Sequence, residues 1–284
     1  MDYFHVDVFT NKPYSGNGLT IFIDTKDLDK GFMQSVTQEM RQFESIFLKQ
    51  INGTNFRAYI FTMEEELDFA GHPLIGAAAI LHDLYAKNAT QSNWVIELNA
   101  KSVAIETVKH DTYFSAQMNQ GKAEFGTILS TQQEIEFLSY FNLTEEDKLD
   151  TMPFQVITTG LPYLILPIKS ASLAKVKVTI SDLEEKLKSI DAKFLYVLDV
   201  KNLEGRTWDN LGLYEDVATG SAAGPVGAYL HKNNLLEAET EMVLHQGRFL
   251  CRPSTIKIKV SSNGDIFVEG DVCKIAIGQL LPEI

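Results

Sequence analysis

Cysteine is nearly absent from this chain, with Cys251 and Cys273 the two among 284 residues. That excludes a disulfide framework, and without a Cys-x-x-Cys spacing it excludes a zinc ribbon or dithiol motif as well; both read as ordinary reduced thiols, buried or at an edge. Basic charge is also scarce. Twenty-five Lys and Arg stand against 38 Asp and Glu, a formal charge of −13, so the basic face that non-specific nucleic-acid or anionic-membrane binding needs is missing. No apolar run approaches the length of a membrane span, and the opening Met1-Asp2-Tyr3-Phe4-His5-Val6-Asp7-Val8-Phe9 carries acids where a secretory leader carries bases. The expectation is a cytoplasmic chain with no membrane partner. Gly16-Asn17-Gly18 lacks the third glycine of a dinucleotide fingerprint, and no Walker lysine motif occurs. His5, His72, His82, His110, His231 and His245 show no ligand spacing, so neither a metal nor another cofactor is expected.

What the chain does have is apolar residues in quantity, 45% of the total, enough for a substantial core in one large domain or two ordinary ones. Two short segments roughly half a chain apart each lead a small-residue turn into an apolar helix. The first is Asp68-Phe69-Ala70-Gly71-His72-Pro73 running into Leu74-Ile75-Gly76-Ala77-Ala78-Ala79-Ile80-Leu81. The second is Glu215-Asp216-Val217-Ala218-Thr219-Gly220-Ser221-Ala222-Ala223-Gly224-Pro225 running into Val226-Gly227-Ala228-Tyr229-Leu230. Helices apolar nearly all round are buried centrally. Their starts present backbone N–H groups and the positive dipole end to an anion, and two such starts suggest a shared cleft.

Around these helices the pattern is bipartite. Residues 3–10 and 19–23 alternate about a turn, 27–42 has helical spacing, and strands are expected at 45–48, 56–62, 94–98, 102–108 and 112–118. The polar, glycine-bearing stretch 119–126 reads as a linker. Beyond it Thr131-Gln132-Gln133-Glu134 reads as a capping box and Ser181-Asp182-Leu183-Glu184 as a second helix start. Strands are expected at 154–159, 163–168, 194–200, 207–214, 241–246, 255–260, 266–269 and 273–278. Strands and single helices mix without strict βαβ alternation, so the fold class is α+β, each half a sheet wrapped on an apolar helix. The domains expected are 1–118 and 119–284, the last strand being a candidate to return to the first.

Several ordered motifs then carry a resemblance. His5-Val6-Asp7-Val8-Phe9-Thr10 with Gly16-Asn17, the segment from Asp68 to Pro73, Thr159-Gly160-Leu161-Pro162, the segment from Glu215 to Pro225, Gln246-Gly247 and Arg252-Pro253-Ser254 resemble the PhzF family of phenazine-biosynthesis-like isomerases over essentially the whole chain. The resemblance implies the diaminopimelate epimerase fold, two pseudo-symmetric α+β domains with mixed or antiparallel sheets and the active site between them, and a homodimer. It implies a cofactor-independent isomerase acting on a small anionic metabolite. The family's acid/base glutamate falls on Glu44, in Arg41-Gln42-Phe43-Glu44-Ser45-Ile46-Phe47. Its Gly-His pair falls on Gly71 and His72, and the second motif supplies Asp216, Gly220 and Ser221. The chain departs from the family at Phe43 and Ser45, where serine and threonine are usual, at Gly18 for a proline, and at Cys251 for a glycine.

Those residues also have readings of their own. A free glutamate titrates near about 4.3, so a proton shuttle near neutrality needs a rise of about two units, roughly 2.7 kcal/mol against the charged form. Burial beside Phe43, Ile46 and Phe47 would supply it; the plainer reading of Glu44 is a solvated strand edge. His72, at a helix start before Pro73, has its charged form opposed by the dipole and is expected neutral, a donor or relay. Asp216 reads either as a substrate-positioning or proton-relaying group or as an ordinary turn aspartate. Gly71, Gly220 and Ser221 are turn and cap residues whose N–H groups would hold a substrate carboxylate. A two-base racemase or epimerase of the same fold is the near alternative, though it uses a thiol at each helix start where this chain has His72 and Ser221. A non-catalytic binding or scaffold protein is the other.

Overall fold

The computed structural model describes residues 1–23, 28–99 and 101–281. They divide into two compact units, 1–119 with 268–284, and 120–267. In the first, β1 (Asp2–Val8) and β2 (Asn17–Phe22) are followed by α1 (Lys30–Met40), β3 (Ser45–Asn52), β4 (Asn55–Phe61) and the short β5 (Glu66–Leu67). Then come α2 (Gly71–Tyr85), β6 (Gln91–Glu97), β7 (Ser102–Lys109) and β8 (Phe114–Lys122). The start expected for the first helix, at Asp27, lies outside the described residues. Asp29 caps α1 by accepting from Phe32 N–H at 3.1 Å.

The second unit holds β9 (Glu124–Ile128), α3 (Thr131–Tyr140), β10 (Gln155–Thr158), β11 (Pro162–Ile168), α4 (Leu183–Lys188), β12 (Phe194–Asp199) and β13 (Glu204–Arg206). It continues with α5 (Gly220–Lys232), β14 (Glu241–Gln246) and β15 (Ser254–Val260), and the final strand β16 (Asp265–Gln279) ends in the first unit. The protein is thus a mixed sheet with few helices. Among the described residues no helix is long and apolar enough to cross a membrane.

In the first unit the strand order is β1-β2-β3-β4-β6-β7-β8, with β16 paired to both β8 and β1, so the strands form a closed ring. The pairs β2–β3 and β4–β6 are parallel. Helix α2 packs against β1, β2, β3, β6 and β7, and every residue from Gly71 to His82 is buried. Gly76 makes the fit possible, since a Cβ there would stand 2.5 Å from Leu19 Cδ2 and 3.0 Å from Val8 Cγ2. His82, deep in this helix, is spent structurally: Nδ1 lies 2.8 Å from Thr107 Oγ1 and Nε2 3.0 Å from Ala89 O. Helix α1 covers the outer face through Met33 and Val36 on Phe22, Phe47 and Phe61.

In the second unit the order is β9-β10-β11-β12-β13-β14-β15, with β11–β12 and β13–β14 parallel. Helix α5 packs on β10, β11 and β15. Gly227 repeats the role of Gly76, its absent Cβ leaving room for Ile258 Cγ2, which would lie 2.5 Å away. Helices α3 and α4 close a second core around Phe141, Phe154, Leu166 and Val197.

Four local expectations are corrected. The expected linker 119–126 is the end of β8 and the start of β9, because its backbone pairs with β10 through Glu124 and Phe125 although its side chains are polar. The stretch 207–214 is not a strand but a turn in which Asp209 Oδ1 accepts from the N–H groups of Leu213 and Tyr214. The capping box belongs to Ser130 with Gln133, one residue earlier than expected, and Asp182, not Ser181, directly precedes α4, without a side-chain cap bond. Finally, 266–269 and 273–278 are one strand, β16.

Candidate active site

Glu44 stands where α1 gives way to β3. Arg41 ends the helix in the left-handed region, φ 53°, turning the chain so that three residues later Glu44 enters the first unit 6% exposed. Strand pairing of Ser45 with Thr20 and with Phe61 then fixes the start of β3. On the other side, Ala70 is extended at the start of α2 and no side chain caps that helix. Gly71 and His72 are its first residues, and Pro73 in the first turn sacrifices no intrahelical bond.

These two turns bring Glu44 and His72 together. His72 Nδ1 lies 3.0 Å from Glu44 Oε2, with the side chains 3% and 8% exposed. Burial pulls the imidazole from its ordinary 6.5 down to about 3, so near neutrality the contact sets a neutral imidazole against the carboxyl group and is not an ion pair. At that separation a small reorientation lets Nδ1–H donate to the carboxylate, or a protonated carboxyl donate to a bare Nδ1. The pair can therefore hold one proton in two places. His72 Nε2 is buried and has no hydrogen-bond partner among the described residues.

A buried neutral histidine has a consequence for stability. Above about pH 6.5 folded and unfolded forms are both neutral and stability is full. Between 6.5 and about 3 the unfolded chain takes up a proton that the folded one refuses, so stability falls with pH through that window and flattens below it. His72→Gln removes the linkage. In urea titrations the parent is expected to lose about 2–3 kcal/mol more than the variant between pH 7 and pH 4.5; equal losses would show that His72 takes up a proton in the fold.

The departures beside Glu44 are also legible. Phe43 is half-buried. Thr20 and Ser45 face each other in the β2–β3 register, both fully buried, and neither hydroxyl finds a partner among the described residues. Thr20→Val and Ser45→Ala should each leave the unfolding free energy in urea unchanged or raise it, by up to about 1 kcal/mol, because an unpaired buried hydroxyl costs more than the methyl or hydrogen replacing it. A loss above that size would reveal a partner.

In the second unit Asp216 is 4% exposed. Its N–H donates to Thr207 O at 3.0 Å, and Thr219, which precedes α5, turns its hydroxyl back to donate to Asp216 Oδ2. That hydroxyl is consequently not spent on a cap, and α5, like α2, begins without one. Gly220 is the first helical residue; its carbonyl accepts from Gln120 Nε2 at 2.9 Å, and Gln120 Oε1 accepts from Thr159 Oγ1 at 2.8 Å. Gly224 is required here, for a Cβ would fall 2.1 Å from Gln120 Oε1. Ser221 Oγ lies 2.7 Å from Tyr163 Oη, both buried. Its hydroxyl is oriented by that phenol.

The first unit thus assembles Glu44, Gly71 and His72, and the second assembles Asp216, Gly220 and Ser221. Reading the sequence assigned no role to Gln120, Tyr163 and Tyr196 and took Gln246 only as part of a motif, yet all four hold the second cluster in place. Cys273 is buried, its thiol pushed up to about 11 chiefly by burial, and Cys251 is exposed at φ 57°, a left-handed position that favours glycine. Among the described residues no three His, Cys, Asp or Glu side chains converge as a metal site.

Comparison with known proteins identifies the family. The family model described as phenazine biosynthesis-like protein, PhzC-PhzF, matches residues 6–272. The solved structure of a predicted epimerase from Pseudomonas aeruginosa superposes with a TM-score of 0.96 and 48% identity, covering 99% of each chain. An uncharacterized isomerase, YddE, of Escherichia coli K12 is 28% identical over 271 residues, 91% of this chain and 89% of that one. The trans-2,3-dihydro-3-hydroxyanthranilate isomerase of Pseudomonas chlororaphis is 26% identical over 290 residues, 95% of this chain and 98% of that one.

Proposed function

The chain belongs to the phenazine biosynthesis-like (PhzC-PhzF) family and is an isomerase, and from that membership we propose that it shifts a proton between carbons of a small carboxylate-bearing metabolite by cofactor-independent general acid/base catalysis. The observation that carries the reading is the buried contact of Glu44 with a neutral His72 at 3.0 Å. Glu44 removes the proton from carbon and returns it to another position, while His72, donating or accepting at Nδ1, steadies whichever protonation state Glu44 is in. Asp216 positions a polar group of the substrate, and Gly71, Gly220 and Ser221, each at an uncapped helix start, are substrate-binding residues whose backbone N–H groups suit a carboxylate. General acid/base catalysis is worth about 10²–10⁴ in rate, so those N–H groups also offset the enolate-like charge that develops.

The proposal includes the diaminopimelate epimerase-like fold with pseudo-symmetric domains, 1–118 and 119–284 with the last strand in the first, each built on one apolar helix, α2 or α5. It includes a cytoplasmic homodimer. A thiol-based racemase is disfavoured by the positions of Cys251 and Cys273, the latter with its thiol titrating high.

The test is proton NMR in D2O with trans-2,3-dihydro-3-hydroxyanthranilate and a panel of cyclic and α-substituted carboxylic acids. Deuterium entering at carbon with migration of a double bond supports the proposal. Exchange with inversion at one centre supports the racemase instead, and no exchange in any compound supports a non-catalytic binding protein.

A further inference from the structure

Gln246, the last residue of β14, is 1% exposed and has every hydrogen-bonding position of its amide occupied. Oε1 accepts from Tyr196 O–H at 3.0 Å and from Thr219 N–H at 3.1 Å. Nε2 donates to the Asp216 carbonyl at 2.9 Å and to Thr219 Oγ1 at 3.0 Å. An amide offers two lone pairs and two N–H donors, so nothing is left over. The partners also settle which way the amide faces: a backbone N–H can only donate and a carbonyl can only accept, so a flipped amide would lose both.

That orientation reaches the carboxylate. Nε2–H occupies the acceptor side of Thr219 Oγ1 and cannot itself accept, so the hydroxyl proton must go elsewhere, and it goes to Asp216 Oδ2. Tyr196 reinforces the direction, because burial above all, with Asp216 and Glu204 adding to it, pushes its phenol well above the usual range and keeps it a donor. Two acidic groups near this turn are paired with arginines, Glu215 with Arg206 and Glu204 with Arg248.

We propose that Gln246 is a positioning residue that directs the Thr219 hydroxyl onto Asp216 and so holds that carboxylate ionised and in one orientation. The inference rests on the proposed function only for why Asp216 needs holding. Its test requires no substrate: a carbon-13 NMR titration of the Asp216 carboxyl, assigned with Asp216→Asn. Gln246→Leu and Thr219→Val are each expected to raise the titration midpoint by about one to two pH units, the worth of a hydrogen bond to a charged group. The double variant should rise no further than either single one, and Thr219→Ser should stay at the parent value. An unchanged midpoint in folded Gln246→Leu overturns the proposal. Should that variant not fold, Gln246→Glu takes its place, nearly the same in shape but drawing the Thr219 proton to its own carboxylate. Its Asp216 midpoint must also rise, and an unchanged midpoint or a second failure to fold makes Gln246 a purely structural residue. Absence of deuterium exchange in the substrate panel would leave this titration unaffected, so the two failures are distinguishable.

Discussion

Glu44→Gln is expected to slow deuterium entry at substrate carbon by about 10²–10⁴-fold, the contribution of a positioned general base, with the folded structure retained. The retention comes from His72. Because the imidazole is neutral, pulled by burial to about 3, it does not depend on a negative charge opposite Nδ1; an amide oxygen can accept from Nδ1–H, or an amide N–H can donate to bare Nδ1. The contact now 3.0 Å long therefore survives in one tautomer, and circular dichroism and the urea midpoint should stay close to the parent. The amide lacks only the ability to take a proton. Glu44→Asp sharpens the point by keeping the carboxylate but drawing it back by one methylene, and a misplacement of about 1 Å can cost on the order of 10²-fold. A Glu44→Gln enzyme that turns over at the parent rate would remove Glu44 from the chemistry.

How much of this can be read from the chain alone depends on whether a signal is local. Helices α2 and α5 are legible because small and apolar residues run all round them, which has no stable solution except central burial. Strand β9 is not: its side chains are almost all exposed, Phe125 and Ile128 included, so no inward face marks it. The 207–214 turn misleads in the opposite direction, since Trp208, Leu211, Leu213 and Tyr214 look like strand residues yet three of them face outward. In β16 the pair Gly270-Asp271 looks like a break, but Gly270 is where the Phe9 ring lies, its Cδ1 2.3 Å from where a Cβ would be, and Asp271 accepts from Ser115 Oγ at 2.7 Å. Within the site, Glu44 is reachable through the resemblance of residues 41–47 to the family's motif, while its own neighbours read more plainly as a solvated strand edge. The role of Gln246, which the sequence offers only as part of the Gln246-Gly247 motif, is not, because its four hydrogen bonds go to three residues 27 to 50 positions away along the chain and a buried glutamine leaves no periodic trace.

The largest loss of stability is expected next to Asp216, at a residue given no separate role in the chemistry. Glu215 and Arg206 form a fork, Nε to Oε1 at 2.8 Å and a terminal nitrogen to Oε2 at 2.6 Å, with side chains 9% and 10% exposed. The remaining terminal nitrogen donates to the carbonyls of Leu173 and Val176, and the guanidinium lies over the rings of Trp208 and Phe249. Arg206 is therefore committed to the second unit by packing as well as charge and cannot swing into water when its partner is removed. Glu215→Ala then leaves a buried guanidinium uncompensated, at a loss of about 3–5 kcal/mol. Arg206→Met strands the carboxylate and should cost a similar amount. The pair as a whole is worth far less than either half suggests, because desolvating two charges offsets most of their attraction. Arg206→Met combined with Glu215→Leu should recover most of the loss, which urea titrations of the four proteins would measure as a strong positive coupling. Single variants within about 1 kcal/mol of the parent would mean that water reaches the pair and screens it as it does a surface bridge. The same experiment bears on the site, since Glu215 also bridges to Trp208 and is bonded in sequence to Asp216. In the double variant the charges are gone while the backbone bond from Asp216 N–H to Thr207 O remains, so activity restored along with stability would assign the pair to holding the turn and leave the chemistry to Glu44 and its neighbours.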